Sequence, residues 1–485
     1  MAQDTPYVLI GNALSTMVAA NRLTEAGEHV VIVNGSNNWG GHFTTVSCDG
    51  VSYDAGMVLH EFTSYSFASA NEDLRTYNPA IRNDAGRFCN TVRQYVNLYQ
   101  ETHEVTNIKM YVEGKCYDDM LIANSLTVIQ QLPFADSVKK ELLKLLDQPS
   151  KSALHASNKL ISDDFNQISY SLASLANHGD TFNTRLIEPF CKKLLNIGTE
   201  DVLARFHRVP WLPLFYPETL LSYLQGTPQQ LPPTVFSYPI GECVGDLAHK
   251  LRAKIQGNRH INIINEHPKQ LIVRDDGSYE ISFNQHEKIN AKNMAWSGGL
   301  GDLLKIIGLN TEVGSYEKCS FALVFLTIPT NAIKLDFTVL SIVDPEIMSY
   351  RITNQSRCSE FDLAHESGFD RLVIEINTDY LAENKSVNAC LHGLATNFKD
   401  LAIAELVALG IIADGACVNI VKVLELKNTL PLPNVNNMQT YTKEMAAVLN
   451  AVPSMSLLGP ASGFSSSSLN HQVLQGLKLY ETWGK

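Results

Sequence analysis

The stretch Val8–Gly41, VLIGNALSTMVAANRLTEAGEHVVIVNGSNNWGG, constrains this chain more than any other. Tyr7-Val8-Leu9-Ile10 is a continuously apolar run, the pattern of a strand covered on both faces. Gly11 follows, where the backbone must turn sharply. Leu14, Met17, Val18 and Leu23 then recur at helical spacing, with Ala19 and Ala20 small enough to lie close against a sheet. Gly27 stops that helix at C′, and His29–Val33 reads as a second strand. A strand, a helix and a strand in so short a span predict an α/β chain built on a parallel sheet.

A strand–turn–helix that holds a dinucleotide gives each glycine a task. The first permits the turn, the second lets pyrophosphate approach the backbone, and the third allows close helix–strand packing. Here the register is Gly11, Asn12, Ala13, Leu14, Ser15, Thr16. Gly11 is kept, Ala13 replaces the second glycine and Thr16 the third. A methyl at Ala13 intrudes modestly, and Thr16 faces packing and not ligand. The helix start still offers N–H groups and partial positive charge to an anion. Asn34 stands where an acid normally binds the adenosine ribose; an amide forfeits a charge-assisted bond worth roughly 1.5–3 kcal/mol. This stretch alone leaves two readings open, a nucleotide site or a doubly wound domain that binds none.

Length and charge narrow the classes. The 485 residues suffice for two or three compact units, and 45% are hydrophobic. A net charge of −12, without any Lys/Arg run interleaved with aromatics, argues against nucleic acid or an anionic membrane surface as partner. The nine cysteines are dispersed without a C-x-x-C, which fits reduced thiols and no structural metal. No cleavable leader pattern appears, and no apolar run approaches the ~20 residues of a membrane span. The expectation is a soluble, cytoplasmic protein acting on a small molecule, its oligomeric state undetermined.

Further segments carry a family resemblance. Trp39-Gly40-Gly41-His42-Phe43, then Val51-Ser52-Tyr53-Asp54-Ala55-Gly56, resembles the second glycine pair and hairpin of the FAD family that includes amine oxidases, protoporphyrinogen oxidase, phytoene desaturases and UDP-galactopyranose mutase. In that family the residue at His42 is Arg. Phe236–Gly245 is similar to the family's Tyr-Pro-x-Gly-Gly segment, and Ile289–Ser297 to the strand that returns to the nucleotide domain. Ser456–Gly463, then Asn470–Leu477, resembles the strand ending in Gly and the helix whose start faces the flavin's ribityl and pyrophosphate. Asn470 takes the place of the family's acid as a candidate N-cap. The run Ser465–Ser468 reads either as a loop or as phosphate-binding hydroxyls.

The resemblance implies a discontinuous FAD/NAD(P)-binding Rossmann-like domain (residues 1–74, 236–310 and 446–485) with an inserted α+β substrate domain (75–235 and 311–445). It implies FAD as cofactor, held by Gly11, Asn12, Ala13, Leu14, Ser15, Asn34, Gly40, Gly41, His42, Gly56, Gly459 and Asn470. Tyr111–Tyr117 and Ile122–Leu126 are similar to the Tyr-x-x-Gly-Lys-x-Tyr and Pro-x-Asn segments of the mutase branch, and Asp344–Asn354 resembles a mutase-branch strand in which a Tyr and an Arg face the flavin cavity. This makes Tyr350 and Arg351 catalytic candidates, with Arg351 either gripping a substrate anion or sitting in a structural ion pair. His60 falls near a flavin-facing His of the mutases, or is a hydrogen-bonded core or rim residue. His365-Glu366 and Asp118-Asp119 read as solvated pairs. No G-x-S-x-G, Walker loop or H-E-x-x-H is present. Three functions follow: an FAD-dependent oxidoreductase of amine oxidase or protoporphyrinogen oxidase type, a mutase-like sugar-nucleotide enzyme using reduced flavin, or a non-catalytic relative serving as a binding or assembly partner.

Overall fold

A computed structural model describes residues 3–36, 38–62, 89–118, 126–147, 167–207, 209–215, 217–227, 236–309, 315–360, 367–384, 397–464 and 468–483. Segments outside them include Ile122–Ser125, His365-Glu366, Asp119 and Ser465–Ser467 of the sequence reading.

Gln3–Ile10 (β1), Leu14–Glu25 (α1) and Val30–Val33 (β2) form the expected unit, with β1 and β2 parallel. They lie in a seven-stranded sheet whose parallel part runs Ile261–Ile264, β2, β1, Ile289–Trp296. Ser456–Leu457 pairs parallel with the end of Ile289–Trp296. Tyr279–Ser282 and Gln270–Val273 continue the sheet as an antiparallel hairpin turned at Asp275-Asp276-Gly277. The strands of this sheet thus come from three separated stretches of the chain.

β1 starts at Gln3 rather than Tyr7, because its polar beginning finds a ladder partner: Gln3, Asp4 and Thr5 lie opposite Ile289, Asn290 and Ala291. A backbone ladder asks nothing of side-chain polarity. Further along β1 the two faces serve different cores. Leu9 packs with α1, the helix Asp246–Gln256 and the C-terminal helix Leu469–Trp483. Val8 and Ile10 pack with Leu300–Ile306 and Val435–Ala451. Burial on both faces is what the unbroken apolar run in β1 encodes. The chain therefore has an α/β, Rossmann-like fold.

A second seven-stranded sheet runs Asn419–Pro431, Lys318–Pro329, Phe369–Asn377, Ser349–Asn354, Val339–Ile342, Lys109–Val112, Lys115–Tyr117. The helices Leu126–Gln131, Ala135–Leu146, Tyr170–His178, Glu188–Leu195 and Pro217–Leu224 share a core with residues of that sheet such as Val112, Phe321 and Tyr350. The helix Tyr170–His178 is capped by the Ser169 hydroxyl, which accepts from Leu172 N at 3.2 Å. Two small sheets join these parts. Thr45–Cys48 pairs with Val51–Asp54, and Phe236–Pro239 lies between His60–Glu61 and Thr102–Glu104.

Candidate functional site

The end of β1 sets the geometry. Gly11 has φ +114°, and a side chain there would run into the Ser297 hydroxyl. Ser297 extends the neighbouring strand: its N–H donates to Ile10 O at 2.9 Å. Thr16 Oγ1 donates to Ser297 Oγ at 2.8 Å. The residue that replaced the third glycine thus fastens α1 to the sheet by a hydrogen bond, in place of bare close packing.

α1 begins after Ala13, an extended residue (φ −64°, ψ 155°) that supplies no side-chain cap, and the first turn carries no acidic residue. Its positive end is therefore not neutralised by its own sequence. Ser15 in that turn is fully buried, and its Oγ has no hydrogen-bond partner. Facing it is the turn after Ser456–Leu457. A Cβ on Gly459 would lie 3.2 Å from Ala13 Cβ and 3.7 Å from Ser15 Oγ. The C-terminal helix runs against α1, and a Cβ on its Gly476 would meet Ser15 O at 2.6 Å. Gly11, Asn12, Ala13, Leu14, Ser15 and Gly459 are thereby gathered at one junction.

The glutamines of the C-terminal helix, which sequence reasoning missed, occupy the N–H groups of that junction. Gln472 Oε1 accepts from Ser15 N at 3.4 Å, and Gln475 Oε1 accepts from Gly459 N at 2.7 Å. Asn470 is not the N-cap. Ser468 takes that place, its Oγ accepting from His471 N at 3.3 Å, while Asn470 lies inside the helix and donates through Nδ2 to Glu61 O at 2.7 Å. A cap must precede the first helical residue, and that residue is Leu469.

The loop after β2 closes on itself. Asn34 is buried; its Oδ1 accepts from Ser36 N at 3.0 Å and its Nδ2 donates to Asn38 O at 3.3 Å. Asn12 Nδ2 donates to the same carbonyl at 3.1 Å, and Gly40 N donates to Asn12 O at 2.8 Å. Gly40 and Gly41 both have positive φ, and a Cβ on Gly40 would lie 2.5 Å from Ala248 Cβ. His42 is exposed and packs its ring on Phe43, centroids 3.9 Å apart.

The remaining candidates collect around Gly56. Its neighbour Met57 donates N–H to Glu375 Oε1 at 2.8 Å. Glu375 also receives Arg351 Nε at 2.7 Å, Arg351 Nη2 at 2.6 Å and Tyr350 OH at 2.8 Å. Arg351 and Glu375 are 8% and 3% exposed, so the fork is a buried, bidentate ion pair. Of the two sequence readings of Arg351, the ion pair is the one observed. Burial works against the guanidinium charge, but Glu375 and Tyr350 outweigh it and hold its pKa above the usual value. Burial and the Glu375 carboxylate push the Tyr350 phenol well up. Gln355 grips the same turn: its Oε1 accepts from Asp54 N at 3.1 Å, and its Nε2 donates to Asp54 O at 3.1 Å and Gly56 O at 3.3 Å. Asp54 accepts from Tyr238 OH at 2.5 Å, Val244 N at 3.0 Å and Gly245 N at 2.8 Å. Its carboxyl pKa is raised by burial, against the pull of those bonds.

His60 is fully buried, stacked on Phe62 with centroids 4.8 Å apart, and neither ring nitrogen has a hydrogen-bond partner. The hydrogen-bonded core reading of His60 is therefore not what forms. Burial lowers its pKa to about 3, so the ring is neutral at ordinary pH. Segment 56–61 connects the two groups of residues, since Met57 meets Glu375 and Glu61 meets Asn470. Glu375 carried a legible signal: it is the one acid between apolar residues in Leu372-Val373-Ile374-Glu375-Ile376, which demands a partner. Gln472 and Gln475 carried little beyond their spacing of one turn beside Gly476.

Among the described residues no group of His, Cys, Asp and Glu is arranged to hold a metal ion, and no helix is long and apolar enough to cross a membrane. The donors fit a dinucleotide instead. A helix start whose own cap residue offers no acceptor, a buried unpartnered hydroxyl beside it and a buried unpartnered imidazole further along are groups that a ligand with a diphosphate at one end and a polar ring at the other would satisfy.

No protein-family model and no curated protein matches the sequence. Solved structures do. The likeness to reduced UDP-galactopyranose mutase covers 99% of this chain and 96% of that one, at 13% identity and a TM-score of 0.69. A protein from Exiguobacterium sp. 255-15, provisionally assigned as a protoporphyrinogen oxidase, is matched over 99% of both chains at 14% identity and a TM-score of 0.61. Putrescine oxidase bound to putrescine is matched over 99% of both chains at 12% identity and a TM-score of 0.61. At such identities the likeness is one of fold, and this chain has the fold that these proteins share.

Proposed function

We propose that this chain is an FAD-dependent oxidoreductase of amine oxidase or protoporphyrinogen oxidase type, acting on a small organic substrate. The observation that carries the reading is the junction at which Gly459 approaches Ala13 beside the unpartnered Ser15 hydroxyl. FAD, when bound, supplies the acceptor for a hydride or electrons. The N–H groups of Ser15 and Gly459 and the Ser15 hydroxyl would hold its diphosphate. Asn34 would reach a ribose only by giving up its bonds to Ser36 and Asn38. Gly56, Met57 and His60 would flank the ring end.

His60, neutral and without a partner, would accept or donate one hydrogen bond there but carries no charge. Arg351 Nε and Nη2 and the Tyr350 hydroxyl donate to Glu375 and thereby fix the turn at Gly56. They act as positioning residues. This weighs against Arg351 as the grip on a sugar nucleotide's phosphates in the mutase-like alternative, since its charge is already paired with Glu375.

A second reading, a non-catalytic relative, is favoured by one observation: the junction's N–H groups already have protein acceptors in Gln472 and Gln475. Incubation of the full chain with FAD, gel filtration and a visible spectrum separate the two. The oxidoreductase reading expects a yellow protein that releases FAD on denaturation, with a dissociation constant on the order of 1 μM, a binding free energy of about 8 kcal/mol. A colourless protein that ignores millimolar FAD overturns it in favour of the non-catalytic reading.

A further inference from the structure

Gln472 and Gln475 lie one helical turn apart on the C-terminal helix and reach opposite sides of the same junction. The carbonyl oxygen of Gln472 takes the N–H of Ser15, in the first turn of α1. That of Gln475 takes the N–H of Gly459. Gln475 is itself held in place, its Nε2 donating to Ser462 Oγ at 2.6 Å, and Ser462 Oγ donating to Gly459 O at 2.9 Å. Gln472 is 2% exposed. The Ser15 hydroxyl, buried beside Gly459, has no partner. Two amide oxygens thus stand where anionic oxygens would stand, and they leave the hydroxyl unserved.

We propose that Gln472 and Gln475 form a displaceable latch on the dinucleotide cleft. Their side chains satisfy the two N–H groups in the ligand-free chain and swing out when a diphosphate takes the same groups and the Ser15 hydroxyl. The inference rests on the FAD reading above. The exchange replaces neutral N–H···O=C bonds by charge-assisted ones and adds a partner for an orphaned hydroxyl, so a diphosphate can displace the latch. A ligand without that charge has no such advantage. The latch therefore selects for a diphosphate and weakens its binding at the same time.

The test compares the full-length wild type with Gln472→Ala/Gln475→Ala and with Gln475→Glu, reading the FAD dissociation constant by flavin fluorescence and the melting temperature without ligand. Removing two competing neutral hydrogen bonds should tighten FAD binding by roughly 10- to 100-fold. It should also lower the ligand-free melting temperature, since two N–H groups lose their acceptors. Gln475→Glu keeps an acceptor on Gly459 N, loses the donor to Ser462 Oγ and sets a carboxylate against the diphosphate; it should weaken FAD at least about 10-fold while lowering the melting temperature less than the double variant does. A wild type that binds FAD at least about 10-fold more weakly than the double variant supports the latch. Equal affinities in all three proteins overturn the latch and leave the FAD reading standing. Absence of FAD binding by every variant, each still folded, overturns the FAD reading and the gate with it.

Discussion

Replacing Arg351 by Met should lower the unfolding free energy by about 3–5 kcal/mol, the cost of stranding a buried charge without its partner. Glu375 would keep its bonds from Met57 N and Tyr350 OH but lose both guanidinium contacts at a position 3% exposed. The double variant Arg351→Met/Glu375→Leu removes both charges. It should recover much of the loss, because an apolar pair of similar volume is often as stable as the ion pair it replaces. Urea unfolding followed by circular dichroism reads both. A loss below about 1 kcal/mol in Arg351→Met would mark the pair as loosely engaged, as exposed pairs are, and would return Arg351 to the list of groups available to a substrate.

The second large effect is a loss of stability on acidification, traceable to His60. An imidazole ordinarily titrates near 6.5, whereas burial holds this one at about 3. Between those values the unfolded chain binds a proton that the folded chain refuses. The stability attached to His60 is therefore fully present above pH 6.5 and is lost progressively as pH falls toward 3. At 1.36 kcal/mol per unit, the loss totals roughly 3–5 kcal/mol. His60→Phe, which keeps a ring on Phe62, should flatten that part of the profile. It should also raise stability at neutral pH, because two unpartnered buried nitrogens disappear. Measured unfolding free energies from pH 7 to 4 test this; an acid slope unchanged in the Phe variant would assign the proton uptake to other groups.

The fold was legible where one residue pattern dictates one environment. β1 and α1 declare themselves because a doubly covered strand must be apolar throughout and a helix packed on a sheet must be apolar at helical spacing. The hairpin at Asp275-Asp276-Gly277 was legible for a similar reason, since few residues accept its positive φ. The site was less legible because its state depends on who meets whom. Arg351 could be assigned a charge but not a partner, for Glu375 comes opposite it only through the register of two antiparallel strands. Asn470 looked like a cap because Ser468 stands just ahead of it in a polar run that offers several candidates. Asn34 was read as a weakened ribose ligand, but Ser36 and Asn38 also bond to it. Nothing in the sequence said that Gln472 and Gln475 reach across to Ser15 and Gly459, because satisfaction of a backbone N–H is decided by tertiary packing.

All of these readings depend on whether the start of α1 and the Gly459 turn grip one ligand together. The most direct measurement is a crystal structure of the full chain grown with excess FAD. The account predicts diphosphate oxygens within hydrogen-bonding distance of Ser15 N, Ser15 Oγ and Gly459 N, with the side chains of Gln472 and Gln475 turned away. FAD bound elsewhere, or a cleft in which both glutamines still hold those N–H groups and no cofactor is present, would contradict it.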